Sequence, residues 1–167
     1  MSKKYLYSPW RLDYILGEKP GDCVMCRAQD MQHDEENLIL YRGRYCYVML
    51  NRYPYNNGHL MIVPYAHVSS IMDLKAEAWH EACELIRTCE TAYKEAYNPD
   101  GINIGINLGT AAGAGIAEHL HIHMVPRWNG DSNFMSVISG ERVIPEAFEI
   151  TYHKLKDCIQ KLVNCHE

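Results

Sequence analysis

The sequence predicts an α+β fold with a five-stranded, mostly antiparallel sheet and two main helices. Five short runs have the length and the apolar patterning of strands, and two longer stretches repeat their apolar residues at helical spacing. The last two predicted strands are joined by about ten residues without a helical pattern, which favours an antiparallel pair over a helical crossover. A chain of this length predicts one domain, here residues 1–167.

The first half of the chain supplies three of the strands. Residues 1–20 are irregular and aromatic, which predicts an arm packed on the body or on a second subunit. Residues 38–41 and 45–50 flank an Arg-Gly-Arg turn and predict a hairpin. A loop rich in turn-forming residues follows, and residues 59–64 form a third predicted strand that ends at a proline.

The second half supplies the helices and the remaining strands. A long helix is predicted over residues 74–97, with Asp73 as its N-cap. Residues 102–108 alternate strictly, with Ile and Leu on one face and Asn and Gly on the other. A last helix is predicted from apolar residues spaced at four and three, namely Phe148, Tyr152, Leu155, Ile159 and Leu162.

Composition excludes several classes of protein. A net charge of −5 argues against non-specific nucleic-acid binding, which needs a basic face. No apolar run is long enough to span a bilayer, and no apolar segment follows the N-terminal lysines as in a secretory signal. The expected compartment is therefore the cytoplasm, where the seven cysteines are expected as thiols or metal ligands.

Three histidines form the most informative pattern in the chain. His119, His121 and His123 alternate with apolar residues, so a strand would place all three on one face. Neighbours would lie roughly 7 Å apart and the outer two roughly 13 Å apart, so at most two of them could share one metal ion. A surface strand that carries histidines by chance is the alternative. The strict alternation, directly after the glycine-rich stretch 109–115, argues against it.

Two kinds of chemistry compete at this run. A catalytic zinc ion takes three protein ligands and keeps one position open, whereas a neutral imidazole can attack phosphorus and form a phosphoramidate. The glycine-rich loop favours the second, because Gly and Ala let backbone N–H groups approach phosphate oxygens closely. His121 is then the natural nucleophile, and its two neighbours could bind phosphate oxygens or protonate a leaving group.

The His-Leu-His-Ile-His-Met-Val run at residues 119–125 resembles the motif of the histidine triad (HIT) superfamily of nucleotide hydrolases and transferases. Residues 47–60 resemble the ribose-binding strand and loop of that family. Residues 8–11, 104–109 and 123–135 resemble the bacterial branch that cleaves diadenosine tetraphosphate by phosphorolysis. The resemblance covers most of the chain and implies a HIT-like fold.

The resemblance implies a set of site residues. His121 would take the nucleotidyl group, with His119 and His123 as its flanking partners. The implied nucleotide-binding residues are Asn51 at the ribose, His59 beside the same pocket, Asn107, Gly113, Ala114 and Gly115 at the phosphates, and Trp128 at the polyphosphate end. Gly115 departs from the family pattern, because relatives carry Gln or Ser at this point. Backbone N–H groups are thus left to bind phosphate there.

A second resemblance concerns metal binding. Cys23 and Cys26 have the spacing of half a zinc site, and a redox-active pair or two metal-free thiols are the alternatives. In HIT relatives and the related hexose-phosphate uridylyltransferases the matching third and fourth ligands are His67 and His119. The resemblance therefore implies a closed Cys2His2 zinc site with a structural role, in which His119 orients its neighbours.

The implied activity is nucleotidyl transfer, in which diadenosine tetraphosphate and inorganic phosphate become ADP and ATP through a nucleotidyl-histidine intermediate. A HIT hydrolase of dinucleoside polyphosphates or nucleoside phosphoramidates is one alternative, and a nucleotide-binding module without catalysis is another. The expected partners are an adenine dinucleotide, phosphate and a second copy of this chain, since the family usually joins two sheets edge to edge. Neither nucleic acid nor a membrane is an expected partner.

Overall fold

A five-stranded antiparallel sheet forms the centre of this protein. The computed structural model describes residues 23–30, 32–131 and 146–164. The strands are β1 (Ile39–Arg42), β2 (Cys46–Leu50), β3 (Leu60–Pro64), β4 (Gly101–Ile106) and β5 (Ile122–Arg127). They lie in the order β1-β2-β3-β5-β4, and every neighbouring pair is antiparallel. The predicted fold class and the antiparallel pairing of the last two strands are confirmed.

Two long helices cover one face of the sheet and a short helix covers part of the other. The helices are α1 (Val24–Asp30), α2 (Ala76–Ala96) and α3 (Phe148–Asn164). The main core joins α2 and α3 to the even-numbered residues of β5, Ile122 and Met124. A smaller cluster packs Met25 of α1 on the opposite face, against Ile39, Tyr47, Met61 and Val63. The odd-numbered residues of β5 face this second side.

Two contacts fasten α1 to the sheet. The Tyr47 hydroxyl donates to the carbonyl oxygen of Met25 at 2.9 Å. The Arg42 guanidinium donates to the Gln29 carbonyl oxygen and to the Asp34 carboxylate, both at 2.9 Å. Because Cys26 lies within α1 and Cys23 directly precedes it, these contacts also fix the position of the two thiols.

The predicted N-cap of the long helix is wrong. Asp73 ends a short 3-10 helix, Ile71–Asp73, in which the Ser70 side chain accepts a hydrogen bond from the Met72 N–H. Helix α2 begins only after Lys75, which makes no side-chain cap bond. Ser70 caps the short 3-10 helix, and Asp73 lies inside that helix instead of at the start of α2.

The histidine run begins before its strand does. Strand β5 starts at Ile122, so His119 and His121 lie in the segment that leads into it, with His119 at a bend. That segment is held by the Leu120 N–H, which donates to the Val68 carbonyl oxygen at 2.7 Å. The pairing of β5 with β3 ends at Ile122 and Ile62, although β3 itself continues to Pro64. The alternation continues all the same, so His121 and His123 lie on one face with ring centroids 4.7 Å apart.

Strand β4 forms one edge of the described sheet. It spans Gly101–Ile106, one residue earlier and two residues shorter at its end than predicted. Residues 1–22 and 132–145 lie outside the described residues, and with them the predicted aromatic arm and part of the 123–135 segment. No helix in the described parts of the chain is long and apolar enough to cross a membrane.

Candidate active site and metal site

Four potential metal ligands meet beside the start of the histidine run. The ligand atoms of Cys23, Cys26, His67 and His119 all lie within 4.8 Å of one another. The two Nδ1 atoms are 3.3 Å apart, and Cys26 Sγ lies 3.2 Å from the Nδ1 of His67 and 3.4 Å from that of His119. A tetrahedral zinc ion with bonds of about 2.0–2.3 Å places its ligand atoms roughly 3.3–3.8 Å apart. The four residues therefore could hold a metal ion of this kind.

The outer nitrogen of His119 supports the same interpretation. Its Nε2 lies 2.9 Å from the Pro64 carbonyl oxygen, which can only accept, so Nε2 carries the proton. The Nδ1 of His119 is then the unprotonated nitrogen and directs its lone pair into the cluster. A backbone carbonyl that fixes the tautomer in this way is the usual second contact of a metal-ligating histidine. Burial lowers the pKa of His119 and keeps the ring neutral.

The same residue positions His121 through its backbone. The Nδ1 of His121 lies 2.8 Å from the His119 carbonyl oxygen and must donate to it. The Nε2 of His121 is therefore unprotonated, with an available lone pair. The Nε2 of His121 makes no hydrogen bond within the described residues. Among those residues Gln29 Oε1 is the one fully buried side-chain polar atom without a partner. The Nε2 of His121 is therefore not fully buried and reaches the surface, although the residue is only 6 % exposed.

His123 has the opposite tautomer, which is set by His59. The Tyr55 N–H and the Asn51 side-chain amide both point at the Nδ1 of His59, at 3.1 and 3.3 Å, so that nitrogen accepts. The Nε2 of His59 then carries the proton and donates to the Nδ1 of His123 at 3.0 Å. His123 is left with Nε2–H as its outer group. His121 thus offers a lone pair on its outer nitrogen, and His123 offers an N–H group.

Burial keeps these rings uncharged. His59 has no exposed surface, and burial, with a smaller effect from His123 and His121, lowers its pKa to about 3. Burial lowers the pKa of His123 to about 4 and also lowers the pKa of His121. At neutral pH the site is therefore a set of neutral imidazoles with defined tautomers. Neutral His121 is the form that a nucleophile requires.

The structure places His59 behind His123. Its side chain has no exposed surface and donates to His123, so its predicted place beside the nucleotide pocket stays a prediction. Asn51 remains half-buried at the end of β2, where its Oδ1 accepts from the Tyr53 N–H at 3.0 Å.

The predicted phosphate-binding residues lie in two places, Asn107 after β4 and residues 113–115 in the glycine-rich loop. β4 pairs with β5 so that Gly105 lies opposite His123 and Ile106 opposite Ile122. The same register, continued by one residue, places the half-buried Asn107 opposite His121. An ideal Cβ added at Gly105 would meet nothing within 4 Å, so the surface beside His123 is open.

The glycine-rich loop turns tightly but uses some of its own amides. Gly109 and Gly113 have φ values of 78° and 89°, which side chains disfavour. The N–H of Gly113 donates to the Thr110 carbonyl oxygen at 3.0 Å, and that of Ala114 lies 3.4 Å from the Gly109 carbonyl oxygen. A phosphate would therefore have to compete for these two amides, whereas Gly115 makes no such turn bond among the described residues.

Trp128 follows β5, and its predicted place at the polyphosphate end stays a prediction. Its ring packs edge to face on Tyr97 at the end of α2, with centroids 6.2 Å apart. This contact with the end of α2 puts the ring on the helix-covered side of the sheet. Within the described parts of this single chain, the structure does not bring Trp128 together with the histidines.

Sequence reasoning missed one side chain of the site. The Tyr55 ring lies 4.6 Å from that of His59 and 5.7 Å from that of His123, centroid to centroid. The signal was present, because Tyr55 precedes His59 by four residues in a loop with Pro54 and Gly58. Gly58 has a φ of 73°, a conformation that lets the chain turn back on itself.

Comparison with known proteins agrees with this geometry. The HIT domain family model matches residues 32–130, more than half of the chain. The AP-4-A phosphorylase of Mycobacterium tuberculosis (strain ATCC 25618 / H37Rv) is 42 % identical over 155 residues, which cover 87 % of this chain and 79 % of that protein. This protein therefore belongs to the HIT family, and its similarity to a bacterial AP-4-A phosphorylase is confirmed.

Solved structures show the same fold. A zinc-bound histidine triad family protein from Mycobacterium smegmatis has a TM-score of 0.67 and 26 % identity, covering 86 % of this chain and 97 % of its own. A uridylyltransferase mutant has a TM-score of 0.69 and 18 % identity, covering 92 % of this chain and 52 % of its own. The second comparison supports the fold alone.

Proposed function

We propose that this protein cleaves dinucleoside polyphosphates, converting diadenosine tetraphosphate and inorganic phosphate into ADP and ATP. The observation that carries the proposal is the tautomer of His121, whose Nδ1 is tied to the His119 carbonyl oxygen and whose Nε2 is free to attack. The 42 % identical relative described as an AP-4-A phosphorylase supports this choice of substrate.

The two tautomers divide the work of the first step. The Nε2 lone pair of His121 forms a bond to the phosphorus nearest one adenosine, and the bond from that phosphorus to the bridging oxygen breaks. The departing ATP oxygen accepts a hydrogen bond from the Nε2–H of His123, which His59 holds in place, and the proton stays on His123. In the second step a phosphate oxygen attacks the adenylyl-histidine, ADP leaves, and His121 regains its lone pair.

Three further groups have supporting parts in the proposal. Asn51 contacts the ribose beside the histidine pair. Asn107, opposite His121 in register, binds phosphate oxygens through its side-chain amide. Gly115 supplies a backbone N–H, while Gly113 and Ala114 contribute only where their loop bonds give way.

Two variants and one product analysis test this function. His121→Ala is expected to lower turnover by roughly 10⁴-fold or more, because the nucleophile is gone. Its thermal midpoint and circular dichroism should match the wild type. His80→Ala, which removes an exposed histidine of α2, is the matched control and should keep full activity.

The products distinguish phosphorylase from hydrolase. Diadenosine tetraphosphate with phosphate should give ADP and ATP, and without phosphate it should give almost no turnover. AMP and ATP in either mixture would favour the hydrolase, for which the missing side chain at Gly115 is the specific observation. Binding without any turnover would contradict both and favour a nucleotide-binding module.

We also propose that zinc occupies the cluster of Cys23, Cys26, His67 and His119. Two thiolates and two imidazoles suit zinc and leave no open position, so the ion would supply structural stability. Thiolate ligands persist in a reducing compartment, which supports a cytoplasmic location for this protein.

Metal analysis tests the zinc proposal directly. The purified protein should contain one zinc ion per chain by elemental analysis. Cys26→Ala should lose it and show a lower thermal midpoint, whereas Cys83→Ala, at a half-buried cysteine of α2 outside the cluster, should retain it. Zinc-free wild-type protein with an unchanged melting curve would rule the proposal out.

A homodimer is the assembly we propose. β4 lies at one edge of the described sheet, and Ile104 on it is 48 % exposed. Pairing with a second β4 would satisfy that edge and bury the isoleucine.

Light scattering should report twice the chain mass, and Ile104→Lys should shift the measured mass towards the monomer. Ile150→Lys, at an exposed isoleucine of α3, is the control, and a monomeric wild type would refute the assembly.

A further inference from the structure

Tyr55 contacts the histidine pair without belonging to the triad motif. Its ring is tilted by 40° to the rings of both His59 and His123. His59 is 0 % exposed and His123 is 9 % exposed, whereas Tyr55 is 37 % exposed. The tyrosine therefore lies between solvent and the hydrogen bond that joins the two histidines.

The loop that carries Tyr55 is fastened on both sides of it. The Asn56 side-chain amide donates to the Pro126 carbonyl oxygen at 3.0 Å and to the Asp131 carboxylate at 2.9 Å. On the other side the Tyr53 N–H donates to Asn51 Oδ1. The backbone N–H of Tyr55 itself donates to His59. The backbone on both sides of the ring is thus held in position.

Water would disturb the pair if it could enter. The hydrogen bond from His59 Nε2 to His123 Nδ1 selects one tautomer of each ring, and water can donate to or accept from either nitrogen. A buried hydrogen bond that excludes water keeps its direction because no competing partner is present. An apolar ring over the pair is the means of exclusion that the structure provides.

We propose that Tyr55 is a positioning residue that acts through His59. Its ring shields the His59–His123 hydrogen bond from water and so keeps the Nε2–H of His123 directed at the leaving group. The catalytic consequence rests on the proposed function. The shielding itself is a property of the folded protein and is measurable without any substrate.

The first arm of the test is nuclear magnetic resonance of ¹⁵N-histidine-labelled full-length protein. In the wild type and in Tyr55→Phe, His123 should show a protonated Nε2 and an unprotonated Nδ1. In Tyr55→Ala the two tautomers of His123 should mix. The pKa values of His59 and His123 should also rise towards the ordinary range, since burial is the main cause of their lowering and His121 is the other titratable group that acts on both.

The second arm is steady-state kinetics with diadenosine tetraphosphate and phosphate. Tyr55→Ala should lower kcat roughly tenfold to a hundredfold, the scale of a misplaced catalytic group, with KM within about twofold of the wild type. Tyr55→Phe should restore both constants, because the ring is kept. If Tyr55→Ala fails to fold, Tyr55→Gln provides the same test with a side chain that fills space but admits water.

Each outcome decides the matter. Unchanged histidine tautomers and pKa values in the folded Ala or Gln variant would overturn the proposal. A raised KM with unchanged kcat would also overturn it, since Tyr55 would then contact the nucleotide. An inactive wild type with the expected tautomer change would refute the proposed function and leave the shielding role standing.

Discussion

The hydrogen bond from His121 Nδ1 to the His119 carbonyl oxygen is the contact on which the rest of the site depends. It removes the choice of tautomer from the central imidazole and leaves the lone pair on the outer nitrogen. The same residue, His119, directs its side chain to the two cysteines and His67. One amino acid therefore joins the cluster of potential metal ligands to the proposed nucleophile, and the contact of His119 with the Pro64 carbonyl oxygen helps to position both.

The electrostatics of the site follow from burial. His59, His121 and His123 are all buried, and desolvation lowers each pKa below the ordinary value for histidine. A hydrogen-bond donor to the leaving group in such a site cannot depend on a positive charge. It depends on a hydrogen-bond chain that fixes where each neutral ring carries its proton. The chain from Tyr55 N–H through His59 to His123 does this.

Much of the fold was predictable because the chain alternates so clearly. The strands and helices followed from period-two and helical spacing, and the sheet came out fully antiparallel. The start of α2 could not be predicted from a capping residue, because Ser70 caps the short 3-10 helix that contains Asp73 and α2 follows Lys75, which makes no side-chain cap bond. The start of β5 was also missed, because the alternating pattern runs through residues 119–121, whereas the pairing with β3 ends at Ile62 and Ile122.

The site was predictable in its residue types and less so in their roles. The motif identified the triad, and the resemblance grouped Cys23 and Cys26 with two distant histidines, which the structure brings together. Sequence could not show that His59 lies beneath His123, that Trp128 packs on Tyr97, or that the ring of Tyr55 covers the histidines. Each of these depends on side-chain direction after the sheet has formed.

The most direct test of the account is isolation of the covalent intermediate. Wild-type protein mixed with diadenosine tetraphosphate without phosphate, and quenched within milliseconds, should carry one adenylyl group. Mass spectrometry under alkaline conditions, where phosphoramidates persist, should map it to His121, and phosphorus magnetic resonance should assign it to Nε2. An adduct on Nδ1 or on another residue, or turnover without any adduct, would contradict the account.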